Sequence, residues 1–127
     1  MEVIQQISQS ELEVMQIIWQ EGGTIMFGSL MEGLSKKNKS WKVNTVVTFL
    51  ARLVEKGFLT TEKQGRNNIY SAEFSEQEYL AMQTKAFINK MYANDAKELV
   101  ASLLQNGSIT TDEIEELSEF WKKGRDK

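Results

Sequence analysis

Residues 41–72 read WKVNTVVTFLARLVEKGFLTTEKQGRNNIYSA, and this stretch decides the fold. At 100° per residue, Val46, Phe49, Leu50, Leu53 and Val54 fall on one side of a helix running from about Val43 to Lys56. Gly57, suited to a left-handed helix end, stops it. The rhythm then shortens. Phe58–Glu62 and Asn67–Ala72 are rich in β-branched and aromatic residues, and the polar loop Lys63-Gln64-Gly65-Arg66 separates them. That pattern predicts a β-hairpin directly behind the helix, with Gly65 free to take positive φ.

Toward the N-terminus, Ser8–Glu11 has the spacing of a capping box, in which a hydroxyl and a carboxylate satisfy free helix-end amides. The helix it opens carries Leu12, Met15, Ile18 and Trp19 at three- to four-residue spacing and ends before Gly22-Gly23. A second helix over Met26–Leu34 presents Phe27, Leu30, Met31 and Leu34 on one face, and the polar run 35–40 breaks it. Helix, helix, helix and hairpin over residues 8–73 read as a winged helix-turn-helix. Beyond it, Ser75–Glu78 and Thr110–Glu113 repeat the capping-box spacing, and helices are expected over 75–92, 95–106 and 110–123. The expected fold is mostly α: a winged-helix domain over 1–74 (three helices plus a β-hairpin) and a helical dimerisation domain over 75–127.

The 127 residues contain no His, Cys or Pro. Ser-His and Cys-His nucleophile pairs, thiol redox chemistry and Cys/His zinc sites are therefore excluded. Absence of cysteine fits a reducing compartment. The first residues, MEVIQQISQSELE, lack the layout of a signal peptide, and no apolar run approaches the length of a membrane span, so a cytoplasmic protein without membrane insertion is expected. Asp112, Glu113, Glu115, Glu116 and Glu119 invite an acid–base or metal reading. Acids in a helix's first turns and on its polar face are far more often a solvated surface favoured by the helix dipole. The glycines form no phosphate loop, and no catalytic residue, cofactor or metal site is assigned.

Charge is distributed unevenly. The net charge of −3 comes from residues 76–127, whereas residues 1–75 are neutral. Within the neutral part, Lys36, Lys37, Lys39, Lys42, Arg52, Lys56, Lys63 and Arg66 stand against Glu55 and Glu62, a net +6 over residues 36–66. A stripe of this kind on a helix-turn-helix and its hairpin is the footprint of a surface that meets phosphates. On the third helix, with Asn44 at zero, Thr48, Arg52 and Thr45 fall at about 40°, 80° and 100°, away from the core side. Asn, Thr and Arg suit base edges and phosphates. Asn44, Thr45 and Thr48 are therefore assigned to bases. Ser40, Lys42, Arg52 and the wing residues Lys63, Arg66 and Asn67 are assigned to the duplex backbone and its flank.

The C-terminal half carries Phe87, Ile88, Met91, Tyr92, Leu99, Val100, Leu103 and Leu104 at helical spacings, then Ile114, Leu117, Phe120 and Trp121. Small helices cannot readily hide so many large apolar groups alone, so a second copy is the economical cover. A closed three-helix lobe, or docking onto the winged-helix domain, is the alternative.

ISQSELEVMQIIW (7–19), WKVNTVVTFLARLVEKGFL (41–59), FINKMY (87–92) and DEIEEL (112–117) together resemble the penicillinase-repressor family of bacterial regulators, the BlaI/MecI/CopY-like proteins. The resemblance implies a homodimeric repressor whose winged helix binds an inverted-repeat, double-stranded operator and whose C-terminal helices form the dimer. Trp41, Thr45, Thr48 and Arg52 match the family's residues on the recognition segment. Asn44 and Val47 stand where the β-lactam-responsive members carry Lys and Arg. In those members a membrane receptor-protease triggers cleavage of the repressor. Their scissile Asn–Phe bond falls on Ser102–Leu103 here, and the changed pair weighs against cleavage-driven release. The copper-responsive branch binds metal through a Cys-x-Cys pair, a route closed to a chain without cysteine. Two rival readings stay open: a ligand-responsive winged-helix regulator, and a winged-helix protein–protein adaptor that does not touch DNA.

Overall fold

The computed structural model describes residues 6–125. Its elements are α1 (Gln9–Gln20), β1 (Thr24–Met26), α2 (Phe27–Lys36), α3 (Val43–Glu55), β2 (Leu59–Gln64), β3 (Asn67–Ala72), α4 (Glu76–Tyr92), α5 (Ala96–Gln105) and α6 (Thr111–Arg125). The chain forms two compact units, divided between Met82 and Gln83.

In the first unit, α1, α2 and α3 pack around Val14, Met15, Ile18, Leu30, Leu34, Val46, Leu50 and Leu53, all of them buried. The expected core side of α3 is borne out, with Phe49 and Val54 half-buried at its margins. Gly33 brings α2 close to α1: a Cβ there would lie 2.9 Å from Cγ2 of Ile17. The capping box at the head of α1 is complete. The Ser8 hydroxyl accepts from the Glu11 amide at 3.1 Å, and the Glu11 carboxylate accepts from the Ser8 amide at 2.8 Å. At the other end of α3, Gly57 takes φ 84°, which lets the Phe58 amide reach back to the Leu53 carbonyl at 2.9 Å. That closure turns the chain directly into β2.

The sheet differs from the expected hairpin in two ways. It has three antiparallel strands in the order β1-β3-β2, and β1 occupies residues assigned in part to the second helix. Ile25 pairs with Tyr70 and both are buried, so β1 owes its existence to β3 rather than to a local strand signal. The wing is also tighter than a four-residue loop. Lys63 pairs with Asn68 and Gln64 with Asn67, leaving Gly65 and Arg66 as a two-residue turn. Gly65 has φ 65° while Arg66 is not in the positive-φ region, the pattern of a type II′ turn.

The first unit reaches past the expected boundary after residue 74. Tyr79, on the opening turns of α4, is buried, with ring centroids 5.5 Å from Trp19 and 5.7 Å from Phe58. Trp19 also donates its indole N–H to the Phe74 carbonyl at 2.9 Å. These contacts bind the start of α4 into the winged-helix core.

The second unit holds the rest of α4 together with α5 and α6. Asp95 caps α5 by accepting from the Lys97 amide at 3.0 Å, and the Thr110–Glu113 capping box opens α6. Helix ends are well satisfied here, yet none of the described side chains in this unit is buried.

Candidate nucleic-acid interface

The α2–α3 turn delivers α3 with its outer side free. Asn38 takes φ 62°, and the Lys39 amide closes on the Leu34 carbonyl at 2.9 Å, ending α2 tightly. Trp41 then packs edge-on against Phe49, with ring centroids 5.2 Å apart, which pins the entry to α3. Lys42 occupies the N-cap of α3, where its carbonyl accepts from the Val46 amide; its ammonium, a donor only, cannot cap the helix.

Asn44, Thr45, Thr48 and Arg52 are all exposed on α3. Thr48 donates its hydroxyl proton to the Asn44 carbonyl at 3.0 Å, so toward any outside group its oxygen acts as an acceptor. Ser40 and Lys42 are exposed just before the helix. On the wing, Lys63 lies in β2, Arg66 in the turn and Asn67 at the start of β3, all exposed. Every residue assigned to DNA from the sequence therefore belongs to the first unit and faces solvent.

The basic stripe is not uniformly free. Lys39 pairs with Glu13 at 2.6 Å and stands 5.7 Å from the Trp41 ring centroid. Lys56 is drawn inward: its ammonium donates to the Gln6 carbonyl at 2.9 Å and pairs with Glu11 at 3.0 Å. Glu11 is 1% exposed, a buried carboxylate at the head of α1. Burial pushes its carboxyl up, but the hydrogen bonds from Ser8 and Lys56 and the Lys56 charge outweigh that, holding it below its ordinary value. The pair ties α1 to the C-cap of α3. Lys36, Lys37, Lys42, Arg52, Lys63 and Arg66 make no ion pair among the described residues and remain as the outward cations. The Ser8–Glu11 spacing revealed the cap but not the inward lysine, because nothing local to either residue marks a contact across 45 positions of sequence.

The apolar residues assigned to a dimer contact all lie in the second unit. Phe87, Met91, Val100, Leu104, Leu117, Phe120 and Trp121 are exposed, while Ile88, Tyr92, Leu99, Leu103 and Ile114 are half-buried. Phe120 and Trp121 reach 76% and 66% exposure. Ser102 and Leu103 lie inside α5, where the Ser102 carbonyl accepts from the Asn106 amide and the Leu103 carbonyl from Ser108. Among the described residues, no cluster of acidic side chains could hold a metal ion, and no helix is long and apolar enough to cross a membrane.

Comparison with known proteins places this geometry in a family. The penicillinase repressor family model matches residues 7–123. The penicillinase repressor of Bacillus licheniformis is 32% identical over 127 residues, covering 100% of this chain and 98% of that protein. The methicillin resistance regulatory protein MecI of Staphylococcus aureus (strain N315) is 31% identical over 118 residues, covering 93% and 94%. Among solved structures, the DNA-binding domain of the repressor BlaI is 39% identical with a TM-score of 0.53, covering 62% of this chain and 94% of that one. The monomeric form of Bacillus licheniformis BlaI, solved in complex with the blaP half-operator, is likewise 39% identical, with a TM-score of 0.51 and the same coverage. With its winged-helix unit and an alignment that runs almost end to end, the chain belongs to the penicillinase repressor family.

Proposed function

We propose that the protein is a DNA-binding transcriptional repressor acting as a homodimer on a palindromic operator. The observation that carries this reading is the outer side of α3, where Asn44, Thr45, Thr48 and Arg52 are exposed together on a unit that bears five further outward cations. The similar monomeric form of BlaI was solved in complex with a half-operator, which supports DNA as the partner. Asn44, Thr45 and Thr48 read base edges. Ser40, Lys42, Arg52, Lys63, Arg66 and Asn67 hold the phosphates and flank the duplex.

The dimer reading rests on the second unit. Helices of the length of α5 are marginal alone in water and are held in proteins by burying an apolar face. With no buried side chain among the described residues of that unit, a second copy covering Leu99, Leu103, Leu117, Phe120 and Trp121 supplies the missing burial. Two-fold pairing places half-sites about 10 base pairs apart, or a multiple of it. A cytoplasmic location follows from this role. Control by a membrane receptor-protease would act on Ser102–Leu103, and the helical hydrogen bonds of α5 would have to open first.

Arg52→Ala and Lys63→Ala, measured by gel shift at several salt concentrations, test the phosphate assignments. Each variant is expected to bind more weakly and to lower the slope of log affinity against log salt by about one. An unchanged slope would overturn them.

A further inference from the structure

α3 carries an exposed stripe that these contacts leave unused. Val43 and Val47 are 52% and 46% exposed, and Ala51 is exposed as well. Spaced by four, the three lie along one flank of the helix, and Asn44 separates them from the flank bearing Thr45, Thr48 and Arg52. Core packing does not account for the two valines, and helix propensity disfavours them, since a branched Cβ is stiff against the preceding turn. Their position is informative. Val43 and Val47 belong to the first turns of α3, and the N-terminal residues of a recognition helix are those that reach base edges. In the major groove the one apolar group offered by a base pair is the thymine C5-methyl.

Resting on the DNA-binding reading, we infer that Val43 and Val47 are specificity-determining residues that pack on thymine C5-methyl groups, so that each half-site carries a thymine opposite each valine. The hydroxyl of Thr48 reinforces this preference. With its proton given to the Asn44 carbonyl, it can only accept, so it selects a base-edge amino group beside the thymines. The helix front thus divides into an apolar reader of methyls and a polar reader of amino groups.

The test uses the full chain and duplexes selected by it from a random pool. Thymines of the selected half-site are replaced one at a time by deoxyuridine, which removes the methyl and leaves base pairing intact. Two steps are expected to lose about fourfold in affinity each, the effect of withdrawing one methyl-sized group from an apolar contact. Val47→Ala is expected to abolish the uracil effect at one of these steps and Val43→Ala at the other. Both side chains are exposed, so neither variant removes a core contact. Tight selective binding that ignores uracil, or a uracil effect that persists in both variants, would overturn the inference and leave the DNA-binding reading standing. Failure to bind any duplex at low salt would overturn that reading and the inference together.

Discussion

Replacing Lys56 with Met removes the ammonium and keeps most of the apolar stem. The Glu11 carboxylate, 1% exposed, then loses the bond at 3.0 Å and the only charge that offsets its burial among the described residues. Breaking a fully buried ion pair from one side costs about 3–5 kcal/mol. The Lys56 side chain is 23% exposed, so water already screens part of the interaction, and about 2–3 kcal/mol is the expected loss. For a unit of this size that corresponds to a fall in Tm of roughly 10–20 °C, followed by the fluorescence of Trp19 and Trp41.

The pH dependence separates this account from a generic packing defect. In the native protein Glu11 is held below its ordinary value, so its contribution is present above the unfolded-state pKa and is lost as pH falls through the lower folded value. In Lys56→Met, burial and the Ser8 hydrogen bonds remain but both Lys56 contributions are gone, so the carboxyl takes up its proton at higher pH than in the native protein. The penalty is then full at neutral pH and is relieved as pH falls and Glu11 takes up a proton. The gap between the two proteins should therefore be widest at neutral pH and narrow as pH falls and Glu11 of the variant is protonated. A gap below about 0.5 kcal/mol at pH 7, or one that does not change with pH, would refute the reasoning.

Gly33→Ala should destabilise the winged-helix unit by about 1 kcal/mol in urea denaturation: the new Cβ meets a stiff Ile17 branch, and the gain in helix propensity offsets only part of the overpacking. A stabilised variant would mean that the α1–α2 contact can open without cost. Phe120→Glu should shift the protein from dimer to monomer in sedimentation at micromolar concentration, because the charge enters an apolar contact; a dimer of unchanged stability would place that contact elsewhere.

The parts of the molecule legible in the sequence were those governed by local rules. The core side of α3 followed from a 3.6-residue period, and all three capping boxes from the Ser/Thr-x-x-Glu spacing. Gly57 marked the end of α3 because only a left-handed residue closes that turn. What escaped was set by contacts distant in sequence. β1 is three residues long and is a strand only because β3 pairs with it. Tyr79 looked like part of a separate helical region, yet its ring packs with Trp19 and Phe58. Lys56 looked like one more cation of a DNA-facing stripe, whereas it serves Glu11. The outward residues of α3 were legible for the same reason as its core, since one period assigns both sides. Exposure of Val43 does not follow from that period, which puts it at about 260° from Asn44, on the core side, whereas the residue is 52% exposed in the first turn.

The central claim, that two copies present α3 to a palindromic duplex, is tested most directly by sequencing duplexes selected from a random pool by the purified full chain. Enrichment of an inverted repeat whose half-sites are separated by about 10 base pairs or a multiple of it is the predicted result. A pool that stays random, from a protein that fails to retain duplex at low salt, would contradict it.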